Sequence, residues 1–250
     1  MGPTNRLLMS ADRLRVEKGA CETMEADLLD RGVVVARVEG AVARVTFNRH
    51  EKRNSINAAV ADAFCSIVDE ITDQGVTVGI LAARGTSFCA GVDLSEPHVS
   101  SGAAPFVRLL EKLRAGRQIW IAEVQGGAVG AGVAVALSCP IVVMSRDAWL
   151  WLPELSKTGR FPTGVLRWLS PVLGPSSAFG LAVTERKVDA EEALASGWVS
   201  AVHPPEELAS AAERFAQHLA QADAGSLRSA AEHWALSAVP SSLHAANERG

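Results

Sequence analysis

Two glycine-bearing segments hold the residues best placed to do chemistry. They are Phe88-Cys89-Ala90-Gly91-Val92-Asp93-Leu94 and Gly126-Gly127-Ala128-Val129-Gly130-Ala131-Gly132. Each follows an apolar run, Val76–Ala82 in the first case and Ile119–Val124 in the second. Small residues at such corners let the main chain approach a ligand and leave N–H groups free to donate. Two corners of this kind aimed at one oxygen would stabilise an anion derived from a carbonyl group. A third segment, Trp149-Leu150-Trp151-Leu152-Pro153-Glu154-Leu155, frames one carboxylate in apolar residues. If these enclose Glu154, desolvation raises its pKa toward a value useful for proton transfer. A solvated acid, or one paired with Lys157 or Arg160, is the plainer alternative.

Other chemistries lack support. Gly130-Ala131-Gly132-Val133-Ala134-Val135 has valine where a dinucleotide-binding turn needs a small third residue, and no acid follows at the expected distance. Ser87 has no nucleophile-elbow context. His98 reads as a solvated loop residue and His203 as a surface one. Four cysteines (Cys21, Cys65, Cys89, Cys139) stand far apart without CxxC spacing, so neither disulfides nor a metal site is expected. Asp93 reads as a turn former. Trp149, Trp151 and Trp168 read first as core and second as walls of a pocket.

The elements that must position these groups alternate in type. Val33–Val38 and Ala41–Phe47 form a predicted hairpin around Glu39-Gly40. Asn57 caps a predicted helix over 58–72, with Val60, Phe64, Ile67, Val68 and Ile71 on one stripe. Further helices are expected at Phe106–Arg114, Gly132–Ser138, Ser176–Ala182, Asp189–Ser196 and Glu206–Gln221. Ile141–Met144, Trp149–Leu152 and Val199–Val202 are expected strands, and Ser95–Pro105 a polar loop. The alternation predicts an α/β protein with several parallel strands. Residues 1–31 read as an N-terminal extension, 32–203 as the core and 204–250 as a short C-terminal helical region.

The whole chain has 250 residues, 48% hydrophobic and 21% charged, which fits one globular domain with a sizeable core. A net charge of −4 without a dense basic patch disfavours nucleic-acid partners. No run reaches the length of a membrane span. The first thirty residues mix Arg6, Arg13, Arg15 and Lys18 with Asp12, Glu17, Glu22 and Glu25, unlike a signal or transit peptide. A cytoplasmic location is expected.

The motifs in their order resemble the enoyl-CoA hydratase/isomerase (crotonase) superfamily. These are Phe47-Asn48-Arg49…Asn54-Ser55-Ile56-Asn57, Gly85-Thr86-Ser87-Phe88-Cys89-Ala90-Gly91-Val92-Asp93-Leu94, Val124-Gln125-Gly126…Gly130-Ala131-Gly132 and Leu152-Pro153-Glu154. The resemblance spans about Val33 to Val202. It implies a ClpP/crotonase-type spiral of ββα units with C-terminal helices, assembled as a homotrimer or hexamer. It implies acyl-thioester chemistry with coenzyme A as part of the substrate, or a carrier-protein thioester, and no separate cofactor. The N–H groups of Val92 and Ala131 fall at the positions of the oxyanion hole. Arg53, Ser55, Ala90, Asp93 and Leu94 fall in the segments that contact CoA or substrate, Arg53 as a phosphate contact.

Hydratases of the superfamily use two glutamates. Glu154 matches one, and Ala134 stands at the other. A single retained carboxylate resembles the Δ3,Δ2-enoyl-CoA isomerases, in which one base moves a proton from C2 to C4. Hydration with a substituted second acid, and thioester binding without turnover, remain the alternatives.

Overall fold

The computed structural model describes residues 27–95, 104–115 and 117–238. It opens with three antiparallel strands, β1 (Asp27–Asp30), β2 (Val34–Glu39) and β3 (Val42–Phe47). The hairpin between β2 and β3 is the predicted one, and Gly40 supplies the positive φ (59°) of its turn. Asp27–Asp30 correct the expected boundary at residue 31. Leu29 is buried opposite Ala36, so these residues extend the main sheet. Residues 1–26, and with them Cys21, lie outside the described residues, as does His98.

Helix α1 (Ala58–Asp73) starts where expected, with the Asn57 side chain accepting from Val60 N–H at 3.0 Å. Its predicted stripe is buried in full. The chain then repeats one pattern three times. β4 (Val78–Ala83) and β5 (Ser87–Cys89) lead to α2 (Pro105–Ala115). β6 (Ile119–Val124) and β7 (Gly127–Val129) lead to α3 (Ala131–Ser138). β8 (Ile141–Ser145) and β9 (Trp149–Trp151) lead to α4 (Glu154–Thr158). Helices α5 (Thr163–Leu173) and α6 (Pro175–Thr184) follow, then β10 (Val188–Asp189), α7 (Ala190–Ala195), β11 (Ala201–His203), α8 (Leu208–Ala220) and α9 (Ala224–Ala238).

Each repeat gives one strand to each of two sheets. The larger has the order β1-β2-β3-β4-β6-β8-β11, parallel from β3 onward. The smaller has the order β10-β9-β7-β5, in which β5, β7 and β9 are parallel. This is the expected ββα spiral. Parallel neighbours require a crossover, and the intervening helices supply it. The central strands are covered on both faces, which explains their continuous apolar runs. A tilted aromatic cluster of Phe47, Phe64, Phe88 and Trp120 fills one side, with ring centroids 5.7–6.2 Å apart. On the other side α8 lays Leu208, Ala211, Ala212 and Ala216 over Val78, Ile80, Ile121 and Val143. Arg44 ties β3 to β6 and α8 there, through Glu123 at 2.7 Å and Glu213 at 3.3 Å.

Three helices were not evident from periodicity. α4 is a short turn inside the Pro-Glu motif. α5 sits between Pro162 and an internal Pro171, and both prolines read as breakers in a linear scan. α9 lies within the C-terminal region expected to be helical, without a predicted boundary of its own.

Candidate active site

The three candidate chemical groups follow three adjacent parallel strands. β5 pairs with β7 (Ser87↔Gly127, Cys89↔Ala128), and β7 pairs with β9 (Ala128↔Leu150, Val129↔Trp151). Parallel neighbours end at the same edge of a sheet. Val92, Ala131 and Glu154 each lie within three residues of a strand end and so emerge together. The glycines let the two corners touch. A Cβ on Gly126 would lie 2.1 Å from Thr86 O, one on Gly132 2.3 Å from Cys89 O, and one on Gly91 (φ 89°) 2.8 Å from Val129 O. The corners are therefore tight packing junctions, and they also face a cavity.

Val92, Ala131 and Glu154 all line one cleft of about 860 Å³, together with Arg53, Ala90 and Leu94. The register around Val92 frees its amide. Ile56 N–H donates to Gly91 O (2.8 Å) and Asp93 N–H donates to Ile56 O (2.9 Å), a parallel bridge that directs the intervening N–H to the opposite side. Ala131 is the first residue of α3, so its N–H has no intrahelical acceptor. Among the described residues neither amide has a main-chain acceptor, whereas the neighbouring Gly130 N–H donates to Trp151 O at 2.8 Å. Ala131 also places its amide at the positive end of the α3 dipole.

Glu154 is the first residue of α4 and is half-buried. Its Oε2 is buried without a hydrogen-bond partner. Its Oε1 lies 2.6 Å from the point where a Cβ on Gly130 would stand. Burial raises its pKa above the ordinary carboxylate value; a hydrogen bond from its own main-chain N–H opposes this, and the negative charge of Glu185 adds a smaller rise. Among the described residues Glu154 is the only carboxylate lining the cleft, and it forms no ion pair there. Lys157 and Arg160, the alternative partners, are exposed and line the same cleft. Ala134 is fully buried in α3 and does not line it.

Two residues expected on the substrate side, Ser55 and Asp93, do not line the cleft, and Arg49 engages both. The guanidinium donates to Ser55 Oγ (2.9 Å) and Ser55 O (3.1 Å), and lies 2.7 Å from Asp93 Oδ2. Asp93 Oδ1 accepts from the N–H (3.0 Å) and hydroxyl (2.6 Å) of Ser95. These bonds, with the Arg49 charge, hold the Asp93 carboxyl well below the usual range. The turn-forming reading of Asp93 describes this geometry. Asn54, buried with φ 54°, donates to Arg84 O and Ser87 O (both 2.9 Å) from behind the same corner.

None of the three tryptophans lines the cleft; Trp168 is buried in the core, whereas Trp149 and Trp151 are half-buried. Trp149 covers Gly127, where a Cβ would lie 2.6 Å from the ring, and Trp168 stacks under Arg114 with 4.8 Å to its centroid. The apolar cleft wall comes instead from Pro105, Phe106, Phe161, Pro162 and Val165. Sequence reasoning missed this wall. Its one local signal is the pair of aromatic-proline steps, Pro105-Phe106 and Phe161-Pro162.

The enoyl-CoA hydratase/isomerase family model matches residues 37–247. The chain belongs to the enoyl-CoA hydratase/isomerase family. The match runs past the expected limit at Val202 and takes in α8 and α9. The chain is similar to a 1,2-epoxyphenylacetyl-CoA isomerase of Escherichia coli, 33% identical over 202 residues, covering 75% of this chain and 76% of that one. It is similar in structure to an enoyl-CoA hydratase of Mycobacterium smegmatis (TM-score 0.74, 25% identity, 80% of each chain). It also resembles a monofunctional enoyl-CoA isomerase of M. smegmatis (TM-score 0.69, 27% identity, 80% of this chain and 90% of that one). Family membership makes the protein a crotonase-type acyl-CoA enzyme, and the relatives' names include both isomerases and hydratases. Among the described residues no helix is long and apolar enough to cross a membrane.

Proposed function

We propose that the protein isomerises 3-enoyl-CoA thioesters to 2-enoyl-CoA thioesters, with Glu154 as its single base. The observation that carries this reading is the lone, desolvated carboxylate, with one oxygen lacking a hydrogen-bond partner, beside two main-chain donors without main-chain acceptors in one cleft. The thioester oxygen accepts from Val92 N–H and Ala131 N–H. Glu154 takes a proton from C2, and the C2–H electron pair spreads through the C3–C4 double bond and the carbonyl as a dienolate. Collapse of the dienolate forms the C2–C3 double bond, and Glu154 returns its proton to C4. No water enters, and one carboxylate handles both transfers. A raised pKa suits this role, because the group must accept and then release the same proton. Each oxyanion donor is worth about 3–4 kcal/mol of barrier in comparable sites.

Arg53 at the first corner is the residue proposed to meet a phosphate of coenzyme A. The apolar wall of Phe106, Phe161 and Val165 is proposed to receive the acyl chain. Ala134 argues against efficient hydration, since that position offers no second group to hold water.

The test is product formation from a panel of 3-enoyl-CoA thioesters. Wild-type protein gives the 2-enoyl product. Glu154→Gln loses turnover by about 10²–10⁴-fold and keeps its affinity for a saturated acyl-CoA. Unchanged turnover in that variant refutes the assignment. Saturable binding by the wild type, with no product from any member of the panel, establishes a binder instead. Addition of labelled water to a 2-enoyl-CoA establishes a hydratase.

A further inference from the structure

Glu185 occupies a conformation that its residue type disfavours. It follows α6 with φ 50° and ψ 25°, in the left-handed region, which costs a non-glycine residue about 1–2 kcal/mol. A strained backbone persists where the surroundings hold it, and it points to a use for the residue. The contacts of Glu185 name that use. Its main-chain oxygen accepts from the Trp151 indole N–H at 2.6 Å. Its side-chain Oε1 accepts from the main-chain N–H of Ser156 at 2.8 Å. Trp151 ends β9, and Ser156 is the third residue of α4. The two bonds therefore grip the chain on either side of Glu154.

We propose that Glu185 is a positioning residue for Glu154, pinning the Trp151–Ser156 turn so that the Glu154 carboxylate rests against Gly130. This rests on the reading of Glu154 as the base. Glu185 does not line the cleft. It satisfies one of the free donors in the first turn of α4, and α6 packs against α4 to hold it there. The chain bend at Glu185 is what turns the side chain toward Ser156 while the carbonyl faces Trp151.

The same carboxylate also acts on Glu154 through space, as a like charge that favours the protonated form. The other charges around it are accounted for. Lys157 follows on α4, and Arg160 and Arg53 line the cleft. Arg186, the neighbour of Glu185, pairs with Glu192, and Lys187 lies over the Trp149 and Trp151 rings at 4.2 and 5.2 Å.

Three substitutions test the inference. Glu185→Gln keeps an acceptor for Ser156 N–H and removes the charge. It should retain kcat within a few-fold and move the acid limb of the pH–rate profile to lower pH. Glu185→Gly relaxes the strained bend and loses the side-chain anchor. It should melt no lower than wild type, yet lose about 10–100-fold in kcat with KM little changed. Glu185→Ala should lose activity similarly and melt lower. A role confined to folding would make activity follow stability, so a Glu185→Gly variant with wild-type kcat overturns the proposal. A second readout does not depend on turnover. The Glu154 carboxyl, followed by carbon-detected NMR of labelled glutamate, should titrate at lower pH in Glu185→Gln than in wild type. An unmoved titration overturns the electrostatic half of the proposal. If no thioester is isomerised, the reading of the reaction fails, and the titration together with the Ser156 amide shift in Glu185→Gly still decides the part played by Glu185.

Discussion

The Glu154 carboxylate stands in the space that a side chain on Gly130 would take, with Oε1 2.6 Å from the ideal Cβ position. Glu154 and the corner bearing the Ala131 amide are thus in contact, and the missing Cβ of Gly130 leaves the space that the carboxylate fills.

Gly130→Ala should displace Glu154. The new methyl group meets Oε1 well inside contact distance, and φ 54° is strained for alanine. Kinetics should show kcat reduced by about 10–100-fold with KM little altered. A variant with full kcat would show that Glu154 can work from another rotamer.

On the proposed reading of Glu154 as the base, activity should rise with pH as its carboxylate ionises. Burial raises its pKa, so the acid limb should lie above the ordinary carboxylate range. Stability runs the other way. The folded protein holds this proton to higher pH than the unfolded chain does. Ionisation of Glu154 therefore costs stability as pH rises from the ordinary value through the raised one. Glu154→Gln should melt higher than wild type at neutral pH, and the difference should vanish in acid. Thermal melts across a pH series check the sign.

Ala131→Pro removes one N–H from the first position of a helix, where proline is best tolerated. It should lose about 10²–10³-fold in kcat while far-UV circular dichroism stays that of the wild type. Retained activity would exclude Ala131 N–H as an oxyanion donor.

Arg49→Met leaves Asp93 buried without its counter-charge, a loss of about 3–5 kcal/mol in unfolding free energy. The folded Asp93 has a lowered pKa, so its contribution is present above the ordinary carboxylate pKa and fades as pH falls through the folded one. The deficit of the variant should accordingly shrink in strong acid. Denaturant melts at neutral and acidic pH measure it.

The parts of the site legible in sequence are those whose demands are local. Gly91, Gly130 and Gly132 mark corners because only glycine permits that closeness, and Asn57 marks a helix start because its side chain bonds three residues on. Ala134 shows by its side chain alone that it carries no proton. Long-range partners leave no such trace. Glu185 lies 29 positions from the amide it binds, inside a segment that reads as surface loop. Arg49 belongs to the Phe47-Asn48-Arg49 motif, yet nothing nearby in sequence shows that Asp93 and Ser55 share it. The cleft wall was hidden because Phe106 and Phe161 come from separate elements, and Pro162 and Pro171 disguise α5 as loop.

The ladder of β5, β7 and β9 has a corollary for redesign. Both amides and the carboxylate hang from one edge of a sheet, whereas Phe106 and Phe161 belong to α2 and to the approach to α5. On the proposed reading, recutting the apolar wall would change which acyl groups fit while the proton-transfer geometry stays in place.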